Sequence, residues 1–267
     1  MENNREYHLD DSHVSNTSLK MYRKSPRLYK QFYIDKTIPH EPSTNEQIIG
    51  SLTHLFVSGE PLESEFIVAD GCKIRSGKLW DGYEQEAELK GLTPVLPTQL
   101  DFAKAMAEEV LKNPFAKKYW KCDGPVEQPY RFDGPYNIKC KIKPDKLIID
   151  PYFDYPLCID LKTSIGADPE SFPRQAWTYE YHVQAAFYLN GLKANRITNA
   201  QFLFVVVSKE PPHDVFIYVA DEYFIRHGNT VFHESLARLK NSIENDDWLA
   251  PGQAVVNTLS IPYWVKE

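Results

Sequence analysis

Three side chains near the middle of the sequence are of types that could together cut a phosphodiester bond. Asp145 ends the segment Ile142-Lys143-Pro144-Asp145, and fourteen residues separate it from Asp160, which Leu161 and Lys162 follow. Residues two apart on a β-strand point to the same face, so Asp160 and Lys162 would lie side by side. Two carboxylates from adjacent strands suit Mg²⁺, and a nearby lysine could contact the scissile phosphate or orient the attacking water.

An Asp-x-Lys pair on a strand is weak evidence when it stands alone, because such pairs usually mark a solvated strand edge. Here Asp160 follows the apolar residues 156–159, so the charges occur where a buried strand reaches the surface. Strand ends of this kind are where sites in α/β proteins tend to lie. The position therefore favours a functional pair.

Hydrophobic periodicity predicts the elements that must position these side chains. Strands are predicted over residues 126–132, 137–142, 146–149, 157–161, 201–208 and 215–219. Helices are predicted as a short pair within 15–36, divided at Ser25-Pro26, and over 45–58, 98–112, 169–192 and 221–245. This order predicts an α/β fold with one central mixed β-sheet flanked by helices and a helical N-terminal part.

The Pro-Asp, spacer, Asp-x-Lys pattern resembles the motif of the PD-(D/E)xK nuclease superfamily. Gly50-Ser51-Leu52-Thr53-His54 is similar to the helix-borne histidine of its RecB-type branch, and Gln184-Ala185-Ala186-Phe187-Tyr188 matches that branch's Gln-x-x-x-Tyr motif. Residues 15–29, with Ser18-Leu19 and Ser25-Pro26, resemble the N-terminal signature of RecE-like (exodeoxyribonuclease VIII) phage and prophage exonucleases. These features occur in the family's order and together cover roughly residues 15–190.

The resemblance implies a set of metal ligands. His54, Asp145 and Asp160 would bind Mg²⁺, for which Mn²⁺ could substitute, and the backbone carbonyl of Leu161 would be a further ligand. Glu127 matches an acid often seen before the first strand of RecB-type sites, and it would bind a second metal directly or through water.

The resemblance also implies roles toward the substrate. Lys162 would act on the nucleophilic water and the phosphate, and Gln184 and Tyr188 would lie beside the site and touch the DNA backbone. Ser18, Lys24 and Arg27, in or beside the basic segment 20–36, are candidates for DNA contacts.

Each assignment has an alternative without function. His54 could be a core histidine, Glu127 a surface acid, and Gln184 and Tyr188 members of an ordinary amphipathic helix. The basic segment could be a solvated face. Tyr179, Tyr181 and His182 are expected to be packing or rim residues.

Composition limits the class of protein. The net charge of −7 is unusual for a nucleic-acid binder, but a metal site concentrates carboxylates and its cations reverse the local field. No apolar run reaches the length of a membrane span and the N-terminus is polar, so we expect a cytoplasmic protein, in a bacterial host if phage-encoded. The four cysteines form no CxxC pair and none follows Cys158, so no iron–sulfur cluster is expected. The sequence also lacks a P-loop, so it carries no helicase motor.

The resemblance implies one nuclease domain over residues 1–267 with a restriction-endonuclease-like core. Within it we expect a helical part over 1–58 that carries the metal-ligand histidine, an irregular insertion over 59–97, the core over 98–220, and a C-terminal helix and tail over 221–267. Residues 1–14 are expected to be a flexible or edge segment. The tail from residue 248 onward is expected to pack on the body through Trp248, Tyr263 and Trp264.

The first functional hypothesis is a Mg²⁺-dependent exonuclease that digests linear double-stranded DNA in the 5′-to-3′ direction during phage-type recombination. The resemblance further implies a ring-shaped homo-oligomer, expected to be a tetramer, and a single-strand annealing protein as partner. Two alternatives stay open. One is a structure-specific or single-strand nuclease, and the other is a catalytically inactive DNA-binding module of the same fold.

Overall fold

The computed structural model of the protein describes residues 4–39 and 42–261. The helices are α1 (Asn4–Leu9), α2 (Asn16–Lys24), α3 (Pro26–Tyr29), α4 (Asn45–Ser58), α5 (Lys78–Lys90), α6 (Pro97–Lys112), α7 (Pro114–Lys121), α8 (Phe172–Thr178), α9 (Tyr181–Ala194) and α10 (Glu222–Asn245). The strands are β1 (Phe66–Val68), β2 (Thr93–Val95), β3 (Tyr130–Asp133), β4 (Lys139–Ile142), β5 (Lys146–Ile148), β6 (Leu157–Ser164), β7 (Gln201–Ser208) and β8 (Val215–Val219).

A four-stranded sheet in the order β5-β6-β7-β8 lies at the centre. Its long strands β6 and β7 run parallel, whereas β5 and β8 pair antiparallel at the two edges. Strands β1 and β2 form a small parallel sheet, and β3 and β4 form an antiparallel one. The predicted mixed α/β fold is therefore confirmed.

The central sheet is covered on both faces, which is why β7 is apolar from Phe202 to Val207 and β6 begins with the apolar residues Leu157 to Ile159. On one face, Cys158 and Phe204 pack with Phe187 of α9 and Phe232 of α10. On the other face, Leu161 and its neighbours pack with residues of α4, α6 and α7.

Helix α9 is held very close to α10. A Cβ atom added to Gly228 of α10 would lie 1.9 Å from the carbonyl oxygen of His182, so only glycine allows the two backbones to approach this closely. This contact fixes the helix that carries Gln184 and Tyr188.

The N-terminal part follows the predicted helix pair. Ser15 caps α2 through a reciprocal capping box with Ser18, and Ser25 both ends α2 and caps α3. A single π-helical turn follows at Lys30–Ile34. The first residues, predicted to be a flexible or edge segment, contain α1 and then form a parallel bridge from Val14 to Cys140.

Several predicted elements need correction. The insertion over 59–97 contains the thirteen-residue helix α5 between β1 and β2, so it is less irregular than expected. The strand predicted over 126–132 begins only at Tyr130, because Val126 makes an isolated bridge to Lys146 and the chain then turns. The helix predicted over 169–192 is two helices divided at Glu180, which has a positive φ of 60°. Helix α7 was not predicted.

The C-terminal tail was expected to pack on the body through Trp248, Tyr263 and Trp264. Trp248 is 7% exposed and stacks on Tyr29, with ring centroids 6.2 Å apart. Tyr263 and Trp264 lie outside the described residues. Among the helices of residues 4–39 and 42–261, none combines the length and apolar character that crossing a bilayer requires.

Candidate functional site

The register between β5 and β6 brings two aspartates together. Lys146 pairs with Ile159, so the residue before the strand, Asp145, lies opposite Asp160. The backbone N–H of Leu161 donates a hydrogen bond to Asp145 Oδ2 at 2.6 Å. Asp145 is 9% exposed and Asp160 only 3%, so both carboxylates are withdrawn from solvent.

Helix α4 brings an imidazole to the same place. A Cβ atom added to Gly50 would lie 3.7 Å from Thr163 Oγ1, so the helix rests directly against β6 at this turn. One turn later, His54 Nδ1 lies 3.3 Å from Asp145 Oδ2.

Glu127 reaches the site from the turn before β3. Its φ of 48° is left-handed, a conformation that costs a non-glycine residue about 1–3 kcal/mol and that tends to occur at functional sites. The turn is held by a hydrogen bond from the Glu127 N–H to the carbonyl of Asp145 at 3.2 Å. The Glu127 carboxylate lies 3.9 Å from His54 Nδ1 and 2.7 Å from Lys143 Nζ.

His54, Glu127 and Asp145 form a group with the chemistry of a metal site. One donor atom from each lies within 4.8 Å of the others. Two carboxylates and an imidazole fit a divalent cation such as Mg²⁺ or Mn²⁺, and a left-handed turn such as the one at Glu127 tends to occur at functional sites. The residues present therefore fit the metal that the fold implies.

Asp160 faces a different set of partners. Gln184 Nε2 donates to Asp160 Oδ1 at 2.6 Å, and Lys162 Nζ lies 2.5 Å from Asp160 Oδ2. The Lys162 ammonium also lies 4.8 Å from the centre of the Tyr181 ring, a cation–π contact. The lysine is thus held between an acid and an aromatic face.

The ionisable groups perturb one another because they are buried together. Burial, together with the nearby Asp145, raises the pKa of Asp160 to about 6. Burial would lower the pKa of His54, but the carboxylates of Asp145 and Glu127 outweigh it and raise the pKa to about 10. The same imidazole holds the pKa of Asp145 below its usual value despite burial. Burial opposes the charge of Lys162, yet Asp160 raises the pKa of this lysine.

The remaining predicted residues occupy varied positions. The Tyr188 ring packs edge-on against Phe202, and burial raises its pKa well above the usual value, with Asp160 and Asp145 adding to the shift. Leu161 is buried between Asp160 and Lys162; its N–H contacts Asp145, and the role of its carbonyl stays a prediction.

The three candidate DNA contacts differ sharply. Ser18 is 2% exposed and its hydroxyl is used in the cap of α2, so the structure assigns it a helix-capping role instead of a surface one. Lys24 and Arg27 are exposed and remain available to a ligand.

Two residues beside the site were missed. Lys143 directly precedes the Pro-Asp pair and faces Glu127, and its place in that motif was a usable signal. Tyr181, expected to be a packing or rim residue, instead contacts Lys162. Its sequence gave no sign of this, because the contact depends on how α9 meets β6.

The fold and the geometry of the site define a PD-(D/E)xK-type protein. The chain belongs to the family described as "PDDEXK-like domain of unknown function (DUF3799)", whose model matches residues 15–254. The RecE-like branch is a finer assignment that this family does not supply.

A solved structure has the same fold. A crystal structure of a protein from Eubacterium rectale named "Putative exonuclease" is similar with a TM-score of 0.64 and 13% identity, covering 92% of this chain and 87% of that one. The structure of SSO0001 aligns with a TM-score of only 0.31 at 13% identity, over 83% of this chain and 84% of its own. No curated protein matches the sequence.

Proposed function

We propose that this protein is a divalent-metal-dependent deoxyribonuclease. One observation carries the proposal: an imidazole from α4 and carboxylates from the turn before β3 and from the residue before β5 converge, within 4.8 Å, beside a buried acid–lysine pair on β6. The family and the fold neighbour named as an exonuclease support the same class of activity.

The position of each residue in the site indicates its role in the proposed reaction. His54, Asp145 and Glu127 would hold the cation, with Asp160 beside them. When bound, such a cation offsets negative charge on the phosphate and lowers the pKa of water. Lys162 supplies a fixed positive charge for a non-bridging phosphate oxygen, where charge develops in the transition state. Gln184 keeps the Asp160 carboxylate oriented through its hydrogen bond.

The finer activity that we propose is end-dependent digestion of linear double-stranded DNA from 5′ ends. It is supported by the resemblance of residues 15–29 to the RecE-like signature. The same resemblance supports a ring-shaped oligomer and an annealing partner, which would explain how a protein of net charge −7 stays on DNA.

A substrate panel tests both levels of the proposal. Linear duplex with free 5′ ends, linear duplex with blocked 5′ ends, a single strand and a covalently closed circle are each incubated with Mg²⁺, Mn²⁺ or EDTA. We expect loss of the free-ended duplex with either metal and none with EDTA. Digestion of the closed circle would overturn end dependence, and inertness toward every DNA would leave a binding module.

A further inference from the structure

Two exposed aromatic side chains lie just before the helix that carries Gln184. Trp177, in the last turn of α8, and Tyr179, in the short connection between α8 and α9, are each 53% exposed. Single exposed aromatics are common on protein surfaces, but neighbouring ones beside a catalytic centre suggest contact with a ligand. The same connection leads directly into the helix that carries Gln184.

A chain of ring contacts joins these side chains to the lysine of the site. Lys162 Nζ lies 4.8 Å from the ring centre of Tyr181, and the Tyr181 ring is stacked with that of Tyr179 at 5.9 Å. Tyr181 is itself fixed against Phe204 of β7, at 5.7 Å. Tyr179 is therefore the second ring from the group that we assign to the scissile phosphate.

Contacts with two histidine rings fix the orientation of the Trp177 side chain. Its indole stacks on the buried ring of His182 with centroids 4.6 Å apart and an interplanar angle of 16°, and it also contacts His227 at 4.8 Å. Burial and the neighbouring His227 lower the pKa of His182 to about 4, so this supporting ring is uncharged at neutral pH. An aromatic side chain held this firmly loses little freedom when a second ring stacks on it.

Positive groups line the same region. Lys20 Nζ donates to the Tyr179 carbonyl at 2.9 Å and lies 5.7 Å from the Tyr179 ring centre. Arg23 forms an ion pair with Glu180 at 2.5 Å, and Lys24 is exposed on the same helix as Arg23. A backbone phosphate would meet no uncompensated acid from Glu180 here.

We propose, resting on the nuclease function above, that Trp177 and Tyr179 form a stacking surface for unpaired nucleobases of the strand next to the scissile phosphate. Paired bases in a duplex are covered by their neighbours, whereas an unpaired base offers its flat face to an aromatic ring. Stacking of this kind accepts every base, which suits an enzyme that acts along DNA of any sequence. The preferred ligand is accordingly a frayed or single-stranded end.

The test separates bases from phosphates. Binding of a short labelled oligothymidylate is compared with that of an abasic phosphodiester chain of equal length and charge, by fluorescence anisotropy in EDTA so that nothing is cleaved. We expect the wild type to prefer the oligothymidylate. Trp177→Ala and Tyr179→Ala should each weaken oligothymidylate binding about tenfold and leave the abasic chain unaffected. Trp177→Phe and Tyr179→Phe should retain most of the preference because each keeps a ring.

Tyr152→Ala is the matched control. Tyr152 is 92% exposed in the loop that joins β5 to β6, at the end of that strand pair away from Asp145, and its loss should change nothing. Equal binding of the two ligands by the wild type, or an unchanged preference in both alanine variants, would overturn the proposal.

This outcome is independent of the nuclease assay. A protein that prefers bases through Trp177 and Tyr179 yet cuts no DNA would leave the stacking surface standing and remove the proposed activity. A protein that cuts DNA but shows no preference for bases would support the nuclease function and overturn the stacking surface.

Discussion

The two halves of the candidate site are built in different ways. Asp160 and Lys162 stand on β6, a strand with β5 on one side and β7 on the other. His54 and Glu127 come from a helix and a turn outside that sheet, and Glu127 adopts a left-handed backbone. The sheet positions the first half, whereas the second half is positioned by the packing of α4 against β6 and by the turn at Glu127.

This difference indicates that the two halves of the site have different functions. The strand half holds a paired acid and lysine whose geometry needs no cation. The second half brings Glu127 and Asp145 toward the single imidazole of His54, with Lys143 beside Glu127. We therefore expect substitutions on β6 to remove chemistry and substitutions in the second half to weaken metal binding.

The largest effect should come from the strand half. Lys162→Ala removes the positive charge assigned to the phosphate and should lower the cleavage rate at saturating metal by about 10²–10³-fold. Steady-state cleavage of linear duplex DNA measures it, with circular dichroism to verify folding. Lys139→Ala, an exposed lysine on β4, is the control. Near-wild-type cleavage by Lys162→Ala would remove the lysine from the mechanism.

Substitutions in the second half of the site, which contains His54 and Glu127, should weaken metal binding. Glu127→Gln keeps the size of the side chain but removes its charge, and we expect metal binding to weaken about 10–100-fold, with a smaller change in rate at saturating metal. Isothermal titration with Mn²⁺ gives the affinity, and Glu63→Gln, an exposed acid, serves as the control. If the affinity of Glu127→Gln matches that of the wild type, the acid belongs to the rim and not to the metal site.

The buried carboxylate of Asp160 on β6 should lower the stability of the metal-free protein. Because the pKa of Asp160 is raised to about 6 in the folded protein, ionisation of this acid disfavours folding. Asp160→Asn should therefore raise the free energy of unfolding of the metal-free protein by about 1–3 kcal/mol at neutral pH.

The stabilising effect of Asp160→Asn should depend on pH. Below about pH 4 the acid is protonated in both folded and unfolded chains, so the variant should have no advantage there. The advantage should grow between about pH 4 and 6 and stay constant above. Denaturant unfolding across this range in EDTA measures it, and an advantage that shrinks with rising pH would contradict the prediction.

The smallest effect on DNA binding should come from substitutions of exposed cations outside the candidate site. Lys24→Ala and Arg27→Ala each remove an exposed cation, and each should weaken DNA binding only a few-fold while lowering the slope of log affinity against log salt by about 1. Binding to duplex DNA in EDTA over a series of KCl concentrations measures both. Unchanged slopes would show that this face is simply solvated.

The sequence predicts a helix or strand correctly where local signals define it, and less well where pairing with a distant segment defines it. Residues 45–58 were predicted with both ends correct, because the apolar spacing, the Thr44 cap and Gly59 agree. Strand β6 was predicted to end at Leu161, but it continues to Ser164 because its parallel pairing with β7 continues through Lys162 and Thr163. Long-range pairing of this kind overrides the polarity of the residues themselves.

Other features had no local signal. Helix α5 buries little besides Trp80 and Ala87 and carries Gly82 in its interior, so its apolar pattern is thin. The left-handed turn at Glu127 depends on its hydrogen bond to Asp145, which sequence spacing does not contain. The pairing of Lys162 with Tyr181 likewise arises from tertiary packing.

The strand register that sets Asp145 opposite Asp160 has a practical consequence. Three paired positions align the two acids, and the residues that connect β5 to β6 take no part in that alignment. The connection, with Tyr152 almost fully solvated at 92%, is thus a place where a peptide insertion or a dye would leave the carboxylates in position. Immobilising the protein there would let the proposed cleavage be followed on single DNA molecules while the candidate site stays untouched.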